Sequence, residues 1–330
     1  MTQLLIRALE KGVIDGALVV RMSKDRPLRP ELIIAKKKEE IIDAAKSKYC
    51  PVPMNAILGE LIAQNGKFAV VGLPCHIHGI RLAEKYVKGL KEKIVLHVGL
   101  FCSHTVDFAG TELLLRRLGI PEKNVAKLSY RGGGWPGLMS VSLKDGRKTQ
   151  IEFNRGWNAY WNVFSPFLFT PMRCMKCPDQ SNEFCDISFG DAWLKEFART
   201  EVGMSMIITR THAAETLLRE LVANGSVSVK KITSERVKRS QAFSLNFKKE
   251  TLSGRLSFLK KLGENVPDIY PELSSTYMSA ACAFLPYLSR KLSSNKRSRH
   301  LLCYVPTPIF RLYFGLFKCL FLVSTRYRVW

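Results

Sequence analysis

Residues 67–75 read KFAVVGLPC. An unbroken apolar run of this length, closed by a glycine, is the pattern of a strand buried in a parallel sheet, and a helical stretch follows over 77–87. Cys75 therefore stands at a strand-to-helix turn. Residues 93–102, KIVLHVGLFC, repeat the pattern and carry Cys102 to the far end of a second strand. Such turns lie at the carboxyl edge of the sheet, where helix N-terminal amides lower thiol pKa values and bind anions. One buried cysteine is an ordinary small core residue. Two at the ends of successive strands should be neighbours if the strands are adjacent.

The same α/β rhythm runs outward from this pair. Residues 4–9 read as helix closed by Gly12, 14–22 as an apolar strand, and 32–35 as a second strand after a turn at Pro27 and Pro30. Residues 37–45 and 55–64 look helical, with Ser47, Lys48 and Tyr49 between them; on residues alone Lys48 is a solvated loop lysine. Helix is expected over 107–118, strand over 125–130, and a hairpin from 138–143 to 148–153 about the Asp145-Gly146 turn. Strand over 203–209, a helix over 211–223 capped by Thr211, a closing strand at 227–229 and a basic helix over 234–249 complete the pattern. The fold class expected is α/β: a mixed, largely parallel sheet domain over 1–230 with a hairpin insertion, and a basic helical C-terminal extension over 231–330.

Three stretches carry chemistry. Residues 173–193, RCMKCPDQSNEFCDISFGDAW, hold Cys174 and Cys177 as Cys-x2-Cys, a spacing that lets one turn point two sulfurs at one metal centre. Two thiolates cannot complete such a centre, so further ligands must come from elsewhere; Cys185 is available locally. A short strand over 186–190 then delivers Asp191 and Trp193 near the thiolates. Residues 131–137, RGGGWPG, break all regular structure. Backbone at Gly132 and Gly133 can approach a ligand closely, with Arg131 as a phosphate partner and Trp135 as a stacking face; the stretch is equally a long hairpin connection. The third is the aromatic series Trp157, Tyr160, Trp161, Phe164, Phe167 and Phe169, which reads as core.

Composition narrows the classes. The chain has 330 residues, 46% of them hydrophobic, enough for a sizeable core, and 51 Lys+Arg against 28 Asp+Glu give a net charge of +23. That excess calls for an anionic partner. Nine cysteines without an N-terminal signal point to a reducing compartment, hence the cytoplasm, and to ligand or nucleophile roles. The abrupt opening on an amphipathic helix suggests a start inside a larger ancestral domain. From Leu273 onward the chain has nine Lys and Arg and no acidic residue. Residues 309–323 are nearly all apolar yet shorter than the roughly 20 residues that span a bilayer, and they include Arg311 and Lys318. A peripheral helix on an anionic membrane surface is expected, outside the catalytic part, with a docked C-terminal helix or a disordered basic tail as the alternative.

Two other readings fit some residues. Residues 75–81, CHIHGIR, have the Cys-x5-Arg spacing of a cysteine phosphatase loop, although Leu82 follows where Ser or Thr is wanted. A zinc-stabilised basic binding module would account for the charge, but strand-end cysteines and a glycine loop suit a cofactor better, and no nucleic acid is expected.

Taken together, the segments IDGALVV, SKY, VGLPCHIHGIR, LFC, YRGGGWPG and RCMKCPD with DISFGDAW resemble the coenzyme F420 hydrogenase/dehydrogenase beta-subunit family from the first helix to about Ala223. The resemblance implies an α/β domain that carries a [4Fe-4S] cluster close to FAD. Such a domain moves electrons between coenzyme F420, or a ferredoxin-like donor, and a partner redox subunit. It implies Cys75, Cys102, Cys174 and Cys177 as cluster ligands, with Cys185 in reserve. FAD is expected against Ser47, Lys48, Tyr49, Gly72, Pro74, Arg131, Gly132, Gly133, Trp135 and Asp191; no catalytic residue is singled out. The sequence opens at the first helix without the Ser/Gly-rich turn that the family places before it, so flavin binding is expected to be weakened, supplied by a partner, or restored by residues upstream.

Overall fold

In the computed structural model, which describes residues 1–154, 159–198, 200–267 and 277–324, the apolar runs are assembled into one six-stranded sheet. Its strands are β1 (Gly16–Met22), β2 (Pro30–Ala35), β3 (Phe68–Gly72), β4 (Ile94–Leu100), β8 (Ile187–Asp191) and β9 (Ser205–Thr209), in the order β2-β1-β3-β4-β8-β9. The pairs β1/β3, β3/β4 and β4/β8 are parallel, and the edge strands β2 and β9 are antiparallel. This is the mixed, largely parallel sheet expected, with the two strand-end cysteines on adjacent strands.

Alternation explains why these runs are apolar throughout. Ala17 and Val19, Ala69 and Val71, Leu96 and Val98, and Ile187 and Phe189 pack on one face with helices Thr2–Glu10 and His212–Ala223. Leu18, Phe68, Val70 and Ile94 pack on the other with Ile77 and Ile80 of helix Pro74–Ala83. Both faces are covered, so neither set can be polar. Residues 227–229 form no strand; Val227 closes the end of helix His212–Ala223 by donating its amide to the Leu221 carbonyl at 3.2 Å.

A second, three-stranded sheet joins β5 (Val125–Ser129), β6 (Leu138–Leu143) and β7 (Lys148–Glu152) as an antiparallel meander. The Asp145-Gly146 turn makes the β6–β7 hairpin, with Gly146 at φ +87° where a side chain would be strained. Leu113 and Leu114 of helix Phe108–Arg117 share a core with this sheet and with Tyr160, Phe164 and Phe169 of the aromatic series. Phe167 and Trp161 are also packed there or alongside; Trp157 lies outside the described residues.

The C-terminal extension is integral. The basic stretch expected as one helix divides into Ser234–Ser240, Ala242–Leu245 and a π-helical turn Asn246–Glu250, followed by helix Leu252–Lys261. Phe247, Leu259, Cys282 and Phe317 of this region form one core with Phe167 and Met175. Helix Thr307–Ser324 thus seats one side, with Phe310 and Phe317 buried, while Ile309, Leu312 and Leu316 are more than half exposed on the other. Among the described residues no helix is long and apolar enough to cross a membrane.

If the helix is core on one side only, Phe317→Ala should cost about 3–5 kcal/mol of stability in urea unfolding, and Leu316→Ala less than about 0.5 kcal/mol. Equal losses would contradict the packing.

Candidate cofactor site

The carboxyl ends of β3 and β4 deliver two thiols to one place. Cys75 is the second residue of helix Pro74–Ala83, in the turn where free amides and the helix dipole favour an anion. Cys102 follows β4 and is fixed by its amide, which donates to the Gln180 carbonyl at 2.9 Å. Cys174 lies in the short helix Met172–Lys176 and Cys177 at its C-terminal end. All four line a single cavity of about 90 Å³, together with Cys50, Pro74, His76, Arg173 and Lys248.

The size of this space limits what it can hold. A water needs only about 10–15 Å³ by this kind of measure, so the cavity is several times larger than a single ion requires. Among the described residues no three His, Cys, Asp or Glu side chains come close enough to hold one metal ion. Burial pushes the Cys102 and Cys174 thiols up, against the pull of Lys248. His76 is driven the other way, down to about 4, by burial and then by Arg173, so it faces the cavity uncharged. Charge at this site depends on whether a positive group is present to hold the thiolates.

A second cluster lies along the same chain segment. Arg131 Nη1 donates to Tyr49 Oη at 2.9 Å and to Asp191 Oδ2 at 3.2 Å. Its guanidinium lies 4.4 Å from the Phe153 ring centroid and 5.6 Å from that of Trp135. Burial opposes its charge, but Tyr49 and Asp191 outweigh that and raise its pKa. Trp135 packs on Trp193 at 4.6 Å, and its amide donates to the Glu201 carbonyl at 2.8 Å. Gly203 is required beneath it, since an added Cβ would come within 2.7 Å of the indole. Asp191 and Trp193 thus belong to this aromatic group; neither lines the thiol cavity.

The ten residues expected around a flavin fall into three sets. Arg131 contacts Tyr49, Trp135 and Asp191, with Ser47 hydrogen-bonded to Tyr49 and Gly132 and Gly133 in the loop that carries Trp135. Gly72 and Pro74 sit at the β3 end, Pro74 on the cavity wall. Lys48 is neither a free loop lysine nor aimed at a ligand: its Nζ donates to the carbonyls of Ala44, Ala45 and Lys46 at 2.5, 2.9 and 3.0 Å. Burial lowers its pKa to about 8. Cys50, immediately after Tyr49, lines the cavity, so one dipeptide joins the aromatic group to the thiols.

Two expectations are corrected. Cys185 is 3% exposed in the core beneath β3, donates to the Asn182 carbonyl at 3.0 Å, and is absent from the cavity wall. Residues 75–81 do not form an anion loop, because they are helical and the arginine at the far end is already engaged. Arg81 donates to the Phe184 carbonyl and to Asp186 at 3.1 Å and meets Glu84 at 3.4 Å. Those two acids hold His97 from both sides, with Nε2 2.6 Å from Glu84 and Nδ1 3.3 Å from Asp186. This buried network pins β4 to the start of β8 and leaves Arg81 no anion to collect.

Sequence reasoning missed Cys50, Lys248 and Arg255. Cys50 has only its position beside Tyr49 to recommend it, and Lys248 reads as one more charge in a basic run. Nothing local distinguishes either.

The architecture is an α/β domain with soft thiol donors gathered at the carboxyl edge of its sheet. Two family models match it, those of the N-terminal and C-terminal parts of the coenzyme F420 hydrogenase/dehydrogenase beta subunit, over residues 1–59 and 65–235 respectively. The chain belongs to the coenzyme F420 hydrogenase/dehydrogenase beta-subunit family. It is 28% identical over 240 residues to the coenzyme F420 hydrogenase beta subunit of Methanothermobacter thermautotrophicus, covering 70% of this chain and 77% of that protein. It is 26% identical over 259 residues to the coenzyme F420-dependent sulfite reductase of Methanocaldococcus jannaschii, covering 74% of this chain and 37% of that protein. A chain in the structure of the F420-reducing [NiFe] hydrogenase complex from Methanosarcina barkeri shares the fold, with a TM-score of 0.60 at 21% identity over 82% of this chain and 88% of that one.

The His97 network has a signed pH dependence. Burial lowers the His97 pKa, but the hydrogen bonds to Asp186 and Glu84 raise it further, to a net value above the ordinary one. Its contribution is thus full below about pH 6.5 and lost as pH rises through the raised folded value. Burial raises the Asp186 pKa and His97 more than reverses this, so its contribution is present above about pH 3.9 and lost on acidification through the lower folded value. In a histidine NMR titration His97 should have a midpoint above about 6.5, and Asp186→Asn should lower it. An unmoved midpoint would exclude the pairing.

Proposed function

We propose that this chain is an iron-sulfur flavoprotein subunit that passes electrons between coenzyme F420, or a ferredoxin-like donor, and a partner redox subunit. The observation that carries the reading is the set of four cysteines lining one cavity at the carboxyl edge of the sheet. Soft thiolates select iron-sulfur clusters or zinc, and four of them about a multi-atom volume suit a [4Fe-4S] cluster. Cys75, Cys102, Cys174 and Cys177 would hold it. A cluster of this kind supplies one-electron transfer, whereas FAD supplies the exchange between electron pairs and single electrons.

The chain's own residues have more specific tasks. The N-terminal turn of helix Pro74–Ala83 sets Cys75 on the cavity wall. Leu73 and Pro74 line that side of the cavity. Tyr49, Trp135 and Trp193 would offer aromatic faces to a flavin, and the Gly132 and Gly133 backbone can approach it without side-chain obstruction. Arg131 orients Tyr49 and neutralises Asp191, so its expected role as a direct phosphate partner becomes one of holding the aromatic wall in place. The relative named as a hydrogenase beta subunit supports a redox partner for this chain. A zinc-stabilised module uses the same donors and differs in metal content.

Anaerobically purified protein should contain roughly four iron and four sulfide per chain and bound flavin, with little zinc. Cys102→Ser should lose iron and sulfide, Cys185→Ala should retain them, and Arg131→Ala should lower flavin content. Zinc in place of iron would reject the proposal; flavin retention unchanged by Arg131→Ala would reject that residue's part in it.

For the exposed side of helix Thr307–Ser324 we propose reversible contact with an anionic membrane. Ile309, Leu312 and Leu316 lie outward in a region without acidic residues. Apolar insertion beside cations that remain at the headgroups, each contributing on the order of 1 kcal/mol, suits a peripheral helix. The full chain should sediment with phosphatidylserine vesicles and be released by salt, and a Leu312→Asp, Leu316→Asp double variant should stay in solution. Equal sedimentation of the variant would reject this surface.

A further inference from the structure

The family match ends at residue 235, and two deeply buried cations at the thiol site come from beyond it. Lys248 is 1% exposed, lies on the cavity wall, and acts electrostatically on Cys102 and Cys174. Arg255 is also 1% exposed. Its Nε donates to the carbonyl of Met175, between the paired cysteines, at 2.7 Å, and Nη1 donates to Thr251 Oγ1 at 3.2 Å. The guanidinium carbon is 3.8 Å from the Phe247 ring centroid, and Nη2 has no hydrogen-bond partner among the described residues.

Burying a cation without a counter-charge costs several kcal/mol. Neither Lys248 nor Arg255 forms an ion pair with a carboxylate among the described residues, although the adjacent Lys249 pairs with Glu183 at 2.5 Å. Carboxylates are therefore not the intended partner. The negative charge available is that of the thiolates: four of them around an iron-sulfide core leave the assembly net negative. The π-helical turn Asn246–Glu250 carries Lys248 inward, closed by the Thr251 amide donating to the Asn246 carbonyl at 2.9 Å. Such turns re-aim one residue of a helix and concentrate at functional sites.

We infer that Lys248 is the charge-compensating residue of the cysteine site and raises the reduction potential of the group held there, with Arg255 steadying the Cys174-Cys177 turn. This rests on the iron-sulfur reading. Reduction adds one negative charge to the bound group, and a fixed cation in a low-dielectric wall stabilises that charge more than water would. The C-terminal extension then tunes a site whose four sulfurs all come from the family-matched part.

The test uses the full chain, purified anaerobically, with iron and sulfide measured first and the potential then followed by electron paramagnetic resonance during reductive titration with dithionite. Lys248→Met should lower the potential, Lys248→Arg should keep it near wild type, and Lys249→Met should not move it. Loss of the cluster in Lys248→Met with retention in Lys248→Arg would equally support compensation by charge. A fully loaded Lys248→Met protein at the wild-type potential would overturn the inference while leaving the iron-sulfur reading intact. So would equal shifts in Lys248→Met and Lys249→Met, or cluster loss in both Lys248 variants. Wild-type protein that holds zinc and no sulfide would overturn both.

Discussion

The amide of Asn182 donates to the Gly72 carbonyl at 2.8 Å and reaches the Leu100 carbonyl at 3.4 Å, tying the ends of β3 and β4 together where their thiols emerge. Everything at the site depends on this edge. Two parallel strands leave unpaired carbonyls where they stop, and an amide that meets both brings the following segments to a common level. The approach is close enough that Gly99 admits no side chain: a Cβ there would lie 2.5 Å from Asn182 Cγ. Asn182 adopts φ 65° to make the contact, and Asp179 accepts its backbone amide at 2.8 Å. The loop after Cys177 is thereby anchored to the strands that carry Cys75 and Cys102.

Electrostatics complete what the sheet edge begins. The cavity combines buried thiols, which burial alone would keep protonated, with Lys248 on its wall. Under the proposed function, thiolates and the lysine would each make the other's burial less costly. The aromatic group around Arg131 is different in kind. There Asp191 and Tyr49 satisfy the cation, and the product is a rigid, largely apolar wall. Tyr49 and Cys50 join the two, so disturbance of one is felt at the other.

The C-terminal extension shows how a charged segment can be misread. Its excess of Lys and Arg suggests a peripheral surface helix, but charge count says nothing about which few residues point inward. Phe310 and Phe317 are seven apart on one side of helix Thr307–Ser324, and their burial makes the helix part of the core. The outward residues keep the character expected from composition. The helix therefore serves packing on one side and offers an exposed face on the other.

Much of this was legible in the chain itself. Continuous apolar runs ending in Gly72-Leu73-Pro74 and Leu100-Phe101 determined parallel strands with thiols at their carboxyl ends, because only strands covered on both faces need such runs. The Asp145-Gly146 turn and the Cys174-Cys177 spacing are likewise local, set by a few backbone angles. What only the tertiary structure decided are the relations among distant residues. Cys185 was drawn into the core by Arg210 and Asn182, and Arg81 was taken by Asp186 across 105 residues. Lys48 was turned onto backbone carbonyls, and Lys248 inward by one extra residue in a helical turn. The Arg81 and Arg210 contacts are long-range, Lys248 depends on a change of helical phase, and Lys48 turns onto carbonyls two to four residues back; none leaves a mark in composition or periodicity, because the same side chain at the same spacing is solvated on one face and buried on the other.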